Sequence, residues 1–285
     1  MKKLLFQLDT DPHPAVFDTV VAYDGGADHV IGHGGCTPQN VRALVEGAIF
    51  TRAPKEKKFT ALFIGGSEMA AGAALFKAVQ KVFFADFRVS VMLDSNGSNT
   101  TAAAGVARLA GSAPLAGQRA VVLAGTGPVG QRAAVMLSRE GAKVALTSRD
   151  GSRAENCCRE IKARFGVEIE PVAAASNDDR GRAIAGANVV FATGRAGVSL
   201  LDEAHWKDNA SLRLIADANA TPPVGVTGTD MMDRGKVRHG KIVWGAIGFG
   251  TLKLALHRAC VSRLFESNNL ILDAEEIFAL AKTMA

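Results

Sequence analysis

Directly after the apolar run Ala120–Ala124 the chain reads Gly125-Thr126-Gly127-Pro128-Val129-Gly130, a G-x-G-x-x-G turn that leaves a buried strand and opens a helix. Each glycine in such a turn has its own task. The first permits the tight bend, the second lets backbone N–H groups approach a pyrophosphate, and the third lets helix and strand pack closely, with the positive helix end facing the anion. The chemistry implied is dinucleotide binding; a glycine-rich turn with no ligand is the plainer alternative. The next strand ends, some twenty residues on, in Thr147-Ser148-Arg149-Asp150, where an NAD enzyme places an acid against the ribose 2′-hydroxyl. Here Ser148 and Arg149 come first, and a hydroxyl beside a planar guanidinium suits a 2′-phosphate. Arg153 adds a second cation from the first turn of the following helix. Asp150 argues the other way unless it caps that helix, so the residues favour NADP over NAD. Thr193 and Gly194 close a later strand, and Asp217 and Asn219 close the one after it. The first pair stands where a loop would pass beneath the nicotinamide ribose, and the small residues there let the dihydropyridine lie flat, although ordinary strand-end turns explain each residue equally well.

A second polar cluster is Asp94-Ser95-Asn96-Gly97-Ser98-Asn99-Thr100-Thr101, between a strand and a helix, at the carboxyl edge where open α/β sheets bind ligands. A capped helix start uses one or two of these side chains and leaves the others for a ligand. Asp9, Asp11, Asp18, Asp24 and Asp28 form an acidic run, read either as helix caps on a solvated face or as partners of a substrate. No nucleophile triad, HExxH or metal-ligand cluster is present; His29 and His33 are four apart, but Gly32 and Gly34 disfavour the helix that would align them. Cys157 and Cys158 lack the two-residue gap of a redox or metal pair, and only Cys260 falls in an apolar helix, so the four cysteines read as inert thiols.

These residues need strands and helices to position them. Residues 2–8, 59–65 and 88–93 read as buried strands, alternating with helices from Thr37-Pro38, over 67–82 and from 98 through Leu109. After Gly111-Ser-Ala-Pro114 the rhythm restarts: strands at 119–124, 143–147, 188–192, 212–217 and 242–246, helices at 128–140 and 152–165. Alternation of this kind implies parallel sheets with crossover helices. The expected fold is α/β: a Rossmann-type NADP-binding domain over 111–250, and a smaller α/β substrate domain over 1–110 with 251–285. The final segment reads as helix without strand, crossing back onto the first domain and leaving a ligand cleft. The composition, 48% hydrophobic and 21% charged over 285 residues, is that of a compact globular protein. The early acids Asp9 and Asp11 interrupt any signal-peptide core and no apolar stretch spans a bilayer, so a cytoplasmic protein with no membrane contact is expected. The net charge of +5 is dispersed, with two Trp and one Tyr for base stacking; it indicates anionic ligands and not nucleic acid. A homo-oligomer is expected, as for many cofactor enzymes of this size.

DTDPHPAVFDTVVAYDGGAD at 9–28, MLDSNGSNTTAAAG at 92–105, VLAGTGPVG at 122–130, DANATPP at 217–223 and LKLALHRACVSRLFES at 252–267 closely resemble NADP-dependent methylene-tetrahydromethanopterin dehydrogenases of methylotrophic bacteria. The resemblance runs the length of the chain, and some such enzymes also accept methylene-tetrahydrofolate. It implies that the methylene bridge between two pterin nitrogens loses a hydride to NADP⁺ and becomes a methenyl bridge, in one-carbon (formaldehyde) metabolism. No proton moves, and the product carries a delocalised amidinium cation. Catalysis then needs close approach and nearby negative charge, not an acid–base relay. On that implication Asp18 and Asp24 are the acids chosen to face the amidinium or bind pterin donors, the alternative being caps. Phe17 would stack on the pterin, or lie in the core. Asp94, Asn96, Ser98, Asn99 and Thr100 would hydrogen-bond the ring. Lys253, opening the C-terminal helix, faces the site in the family pattern, or is simply solvated. Folate dehydrogenase/cyclohydrolases carry a Tyr-x-x-x-Lys pair that activates water; Tyr23 is followed by Asp-Gly-Gly-Ala, so no cyclohydrolase activity is expected. The competing readings are a shikimate-type NADP dehydrogenase, for which Lys57 and Asp94 supply the residue types of a proton-transfer pair, and a non-enzymatic NADP sensor.

Overall fold

The computed structural model describes residues Met1–Ala285. The chain begins with β1 (Leu4–Asp9), α1 (Val16–Asp24), β2 (His29–His33), α2 (Arg42–Phe50), β3 (Thr60–Gly65), α3 (Met69–Val82), β4 (Ser90–Leu93) and α4 (Ser98–Ser112). It continues with β5 (Arg119–Leu123), α5 (Pro128–Arg139), β6 (Lys143–Ser148), α6 (Gly151–Phe165), β7 (Glu170–Ala173), α7 (Asn177–Ala183), β8 (Val189–Ala192) and α8 (Glu203–Trp206). Last come β9 (Leu214–Asp217), β10 (Arg234–Arg238), β11 (Lys241–Trp244), α9 (Ala246–Arg263), β12 (Ile271–Leu272) and α10 (Ala274–Met284). Two compact units result, one of residues 1–100 with 254–280, the other of 101–253 with 281–283. The changes of unit fall within α4, α9 and the last turn of α10, whereas the sequence sets its boundary near residue 110, at the Gly111–Pro114 loop.

In the first unit the strand order is β12-β4-β3-β1-β2, and every pairing is parallel. All residues of β3 and β4 are buried, which is why both read as unbroken apolar runs: helices cover both faces. The core joins Leu8, Leu62, Ile64, Val91 and Leu93 to Val45, Ile49, Leu75 and Val79 from α2 and α3. The second unit orders its strands β10-β11-β9-β8-β5-β6-β7, parallel except for the β10–β11 hairpin. From β5 the chain winds out through β6 and β7, then returns to β8 and runs the other way. The reversal between β5 and β8, like that between β1 and β3 in the first unit, opens a crevice at the carboxyl ends of the strands, the usual ligand position in open α/β sheets.

Several local expectations need correction. The final segment does contain a strand: Ile271-Leu272 pairs with Val91-Met92 of β4, too short to show any periodicity. The helix expected from Thr37-Pro38 starts only at Arg42, because Asn40 closes a turn by accepting the Thr37 N–H (2.8 Å) and donating to the Gly35 carbonyl (3.0 Å). The edge strands β2, β7 and β10 are partly exposed and lack the long apolar runs that mark central strands. All four cysteines are buried free thiols, not Cys260 alone; burial pushes Cys157 and Cys260 up to about 12 and Cys158 to about 11. No helix is long and apolar enough to cross a membrane.

Candidate functional site

The glycine turn between β5 and α5 can be tested atom by atom. A Cβ on Gly125 would strike Leu146 at 2.6 Å, and one on Gly130 would meet Gly125 Cα at 2.5 Å and Thr193 Oγ1 at 2.6 Å. These two positions are held to glycine by packing alone. A Cβ on Gly127 meets no atom within 4 Å, so that position is held to glycine by nothing in the protein, as expected where a pyrophosphate lies against the backbone. Gly127 is also the N-cap of α5, with Pro128 at the first helical position. Thr126, Pro128 and Val129 are partly exposed around it. The residues fit a dinucleotide.

Beside this turn lies a cavity of about 430 Å³ lined by Ala124, Thr147, Ser148 and Arg149 from one side and by Arg180, Arg195 and Ser199 from the other. Asp150 resolves in favour of its capping role: its carboxylate accepts from Ser152 N (2.9 Å), Ser152 Oγ (2.7 Å) and Arg153 N (3.3 Å), bonds that lower its pKa. Ser148 and Arg149 line the cavity, while Arg153 sits exposed in the first turn of α6. Arg180 and Arg195 were not legible. Arg180 donates to the carbonyls of Leu200 and Ala175 and so clamps the cavity wall. Burial lowers its proton affinity; Asp179 and Asp202 oppose this, and the like charge of Arg149 adds to it. Three guanidinium groups lining one cavity without an acid among them give a positive field that suits an anion.

Thr193, Gly194, Asp217 and Asn219 do not line that cavity; they fix the loops that follow β8 and β9. Thr193 Oγ1 donates to Leu123 O (3.0 Å) beneath Gly130, and Gly194 is packed against Leu200. Asp217 is buried and accepts from Asn219 N and Val226 N, both 3.0 Å; desolvation still raises its pKa against these bonds. Asn219 Oδ1 accepts from Gly197 N (3.2 Å) and Thr221 N (2.9 Å), which ties the segment after β8 to the end of β9.

At the β1/β3 crevice of the first unit, Asp18 lies in the first turn of α1, where the helix dipole favours a carboxylate. Its Oδ2 is 3.5 Å from the point a Gly65 Cβ would occupy, and Asp9 Oδ2 is 3.1 Å from the same point. Asp9 is buried and committed to Asp11 N (3.0 Å) and Ala15 N (3.1 Å). Phe17 is 46% exposed, hence not core, and its ring tilts against His257 at 6.3 Å. His257, itself stacked on Phe63 at 5.4 Å, is a buried histidine at this edge; it lies in the segment 252–267 but is not among the site residues the sequence points to. Asp24 is elsewhere: at the far end of α1 it pairs with Arg258 at 2.6 Å on the surface. Six residues carry it about 9 Å along the helix and 240° around it from Asp18, so only one of the two chosen acids reaches the crevice.

The polar loop before α4 is mostly inward. Asp94, fully buried, accepts from Asn99 N (2.8 Å), Thr100 N (3.1 Å) and Thr100 Oγ1 (2.6 Å), capping α4. Ser98 donates to Ser95 O (2.7 Å) and Asn99 to Leu93 O (2.7 Å) and Asp273 (3.1 Å). Asn96, with φ of 56°, is the exposed side chain of this group. Lys253 lies on α9, partly buried. The proton-transfer pair of the shikimate-type reading does not form: Lys57 is buried, donates to Asp86 O (3.1 Å) and lies 3.8 Å from the Phe87 ring centre, while Asp94 is the α4 cap.

Residues 16–96 match a family described as methylene-tetrahydromethanopterin dehydrogenase, N-terminal. The chain is 53% identical over 286 residues to the bifunctional protein MdtA of Methylorubrum extorquens, covering 100% of this chain and 99% of that protein. It is 31% identical over 298 residues to the NAD(P)-dependent methylenetetrahydromethanopterin dehydrogenase of the same organism, again covering 100% and 99%. Among solved structures, shikimate 5-dehydrogenase from Thermus thermophilus in complex with NADP(H) and shikimate aligns over 100% of both chains with a TM-score of 0.52 at 16% identity. That likeness concerns the fold alone. With relatives matched from end to end, the chain belongs to the methylene-tetrahydromethanopterin dehydrogenase family.

Proposed function

We propose that this protein is an NADP-dependent methylene-tetrahydromethanopterin dehydrogenase that also accepts methylene-tetrahydrofolate. The observation that carries the cofactor half is the arginine-lined cavity beside the unobstructed Gly127 backbone; the pterin half rests on the full-length similarity. Bound NADP⁺ supplies the acceptor for a hydride. Gly127 and the α5 N-terminus hold its pyrophosphate, and Ser148, Arg149 and Arg180 take its 2′-phosphate. Phe17 offers a half-exposed aromatic face to the pterin ring, and Asn96 an exposed amide. As the methylene C–H bond breaks with its electron pair leaving as hydride, positive charge spreads over the N–C–N bridge, and the Asp18 carboxylate stabilises it. The protein moves no proton. We read the two activities in the name of the 53% identical relative as one hydride transfer on two pterin carriers. The missing Tyr-x-x-x-Lys supports that reading, as does the placement of the Tyr23 hydroxyl, which accepts the Val30 N–H at the edge of β2 (3.4 Å). A cytoplasmic homo-oligomer belongs to the same proposal.

The test is a steady-state assay with both methylene pterins and both nicotinamide cofactors. Reduction of NADP⁺ with either pterin, without methenyl hydrolysis above the buffer rate, is expected. No turnover with either pterin overturns the proposal, and rapid hydrolysis removes its dehydrogenase-only part. Arg149→Ala should raise the NADP KM about 10- to 100-fold through loss of a charge-assisted contact and leave the NAD KM nearly unchanged. Equal effects on the two cofactors would place the 2′-phosphate elsewhere.

A further inference from the structure

One side chain of the arginine-lined cavity leaves its polar atom without a partner in the fold. Ser199 belongs to its lining, yet its Oγ is buried and makes no hydrogen bond. Buried hydroxyls are nearly always paired, and one left unpaired weakens the folded state. The backbone around it is fixed on both sides. Leu200 N donates to Gly225 O (2.8 Å) and Leu201 N to the same carbonyl (3.1 Å), while Leu200 O is held by Arg180. On the other flank Gly197 is tied to Asn219. The flanking residues are thus anchored, and a hydroxyl on one rotatable bond at a cavity wall needs only an acceptor to turn towards. The charges that share the cavity say which kind: its lining holds Arg149, Arg180 and Arg195 and no acid, and Asp150, next to Arg149 in the chain, is occupied in capping α6.

We propose that Ser199 is a specificity-determining residue of the cofactor site, its hydroxyl donating to an oxygen of the NADP 2′-phosphate. This rests on the NADP reading given above. Ser199 is thereby set apart from Ser148, which follows the G-x-G-x-x-G strand order and was legible from sequence; Ser199 arrives from the β8 side, about fifty residues later, with no motif around it. On this proposal the protein without cofactor carries the penalty of the unpaired hydroxyl, and bound NADP removes it.

Two measurements with opposite expected signs test this, neither of them turnover. In calorimetric titrations, Ser199→Ala should weaken NADP binding about 10-fold, within the range of one hydrogen bond to a charged group, and leave NAD binding within about twofold. In thermal unfolding without cofactor, the same variant should melt at or above the wild-type temperature, since the unpaired hydroxyl is gone. Ser199→Thr, which keeps the hydroxyl, should retain most of the NADP affinity. Unchanged NADP affinity in Ser199→Ala overturns the proposal, as does an equal loss for NADP and NAD, which would put the hydroxyl on the part common to both. A lower melting temperature without cofactor would show a structural role instead. Should the wild type itself fail to prefer NADP, the cofactor reading falls; should it prefer NADP while Ser199→Ala does the same to an equal degree, the inference about Ser199 alone falls.

Discussion

Gly127→Val should fold, melt close to the wild type and bind NADP at least roughly 100-fold more weakly, a loss of about 2.7 kcal/mol or more. The two halves of this result have separate physical origins. A Cβ at residue 127 meets nothing within 4 Å, so the branch point of the valine enters open space. The same space is where a pyrophosphate must approach the N–H groups opening α5, and two methyl groups there hold it away from the backbone donors and the helix end. The neighbouring glycines form the internal control. Gly130→Val would drive its side chain into Gly125 Cα and Thr193 Oγ1 at about 2.5 Å, so that variant should lose stability first and binding as a consequence. Thermal unfolding and a fluorescence titration with NADPH separate the cases. A Gly127→Val protein that binds cofactor with wild-type affinity would falsify the assignment of this turn.

Asp18→Asn should lower kcat by about 100- to 1000-fold, or about 2.7 to 4 kcal/mol by analogy with loss of a preorganised group facing transition-state charge, with a much smaller change in pterin KM. The argument is one of charge: Asn keeps the shape and can still hydrogen-bond a ring donor, but it no longer opposes the positive charge that grows on the N–C–N bridge. A variant with raised KM and normal kcat would make Asp18 a ring-binding group only. Asp24→Asn is the contrast. It breaks a surface ion pair with Arg258, half-exposed on both sides, and such pairs are worth at most about 1 kcal/mol, so its kinetics should stay close to the wild type.

Asp18 and Asp24 also show where reading the chain stops. Both are acids on one short helix, in a run that the sequence presents as five equivalent carboxylates. Which one reaches the crevice depends on the rotation of α1 against β1 and β3 and on an arginine 234 positions away. Likewise the polar segment Asp94–Thr100 looks like a ligand loop because it is rich in hydrogen-bonding groups, and the structure spends most of them on capping α4 and joining it to Asp273. Side chains of that type serve either purpose, and only the positions of their partners distinguish the two.

What the sequence determined by itself is the local part: the apolar runs of β3, β4, β5, β8 and β9, whose burial on both faces leaves an unbroken signal, and the glycine turn with Ser148 and Arg149, whose backbone geometry and spacing are consecutive properties of the chain. Tertiary structure alone decided the rest: the strand order with its two reversals, the two-residue strand β12 completing the first sheet, the stack of Phe17, His257 and Phe63, and the meeting of Arg149 with Arg180, Arg195 and Ser199 at one cavity. The physical reason is the same in each case. A turn or a buried strand is specified by neighbours along the chain, whereas a charge cluster or an aromatic stack is specified by elements that meet only when the sheet has formed, and nothing in the spacing of their residues records that meeting.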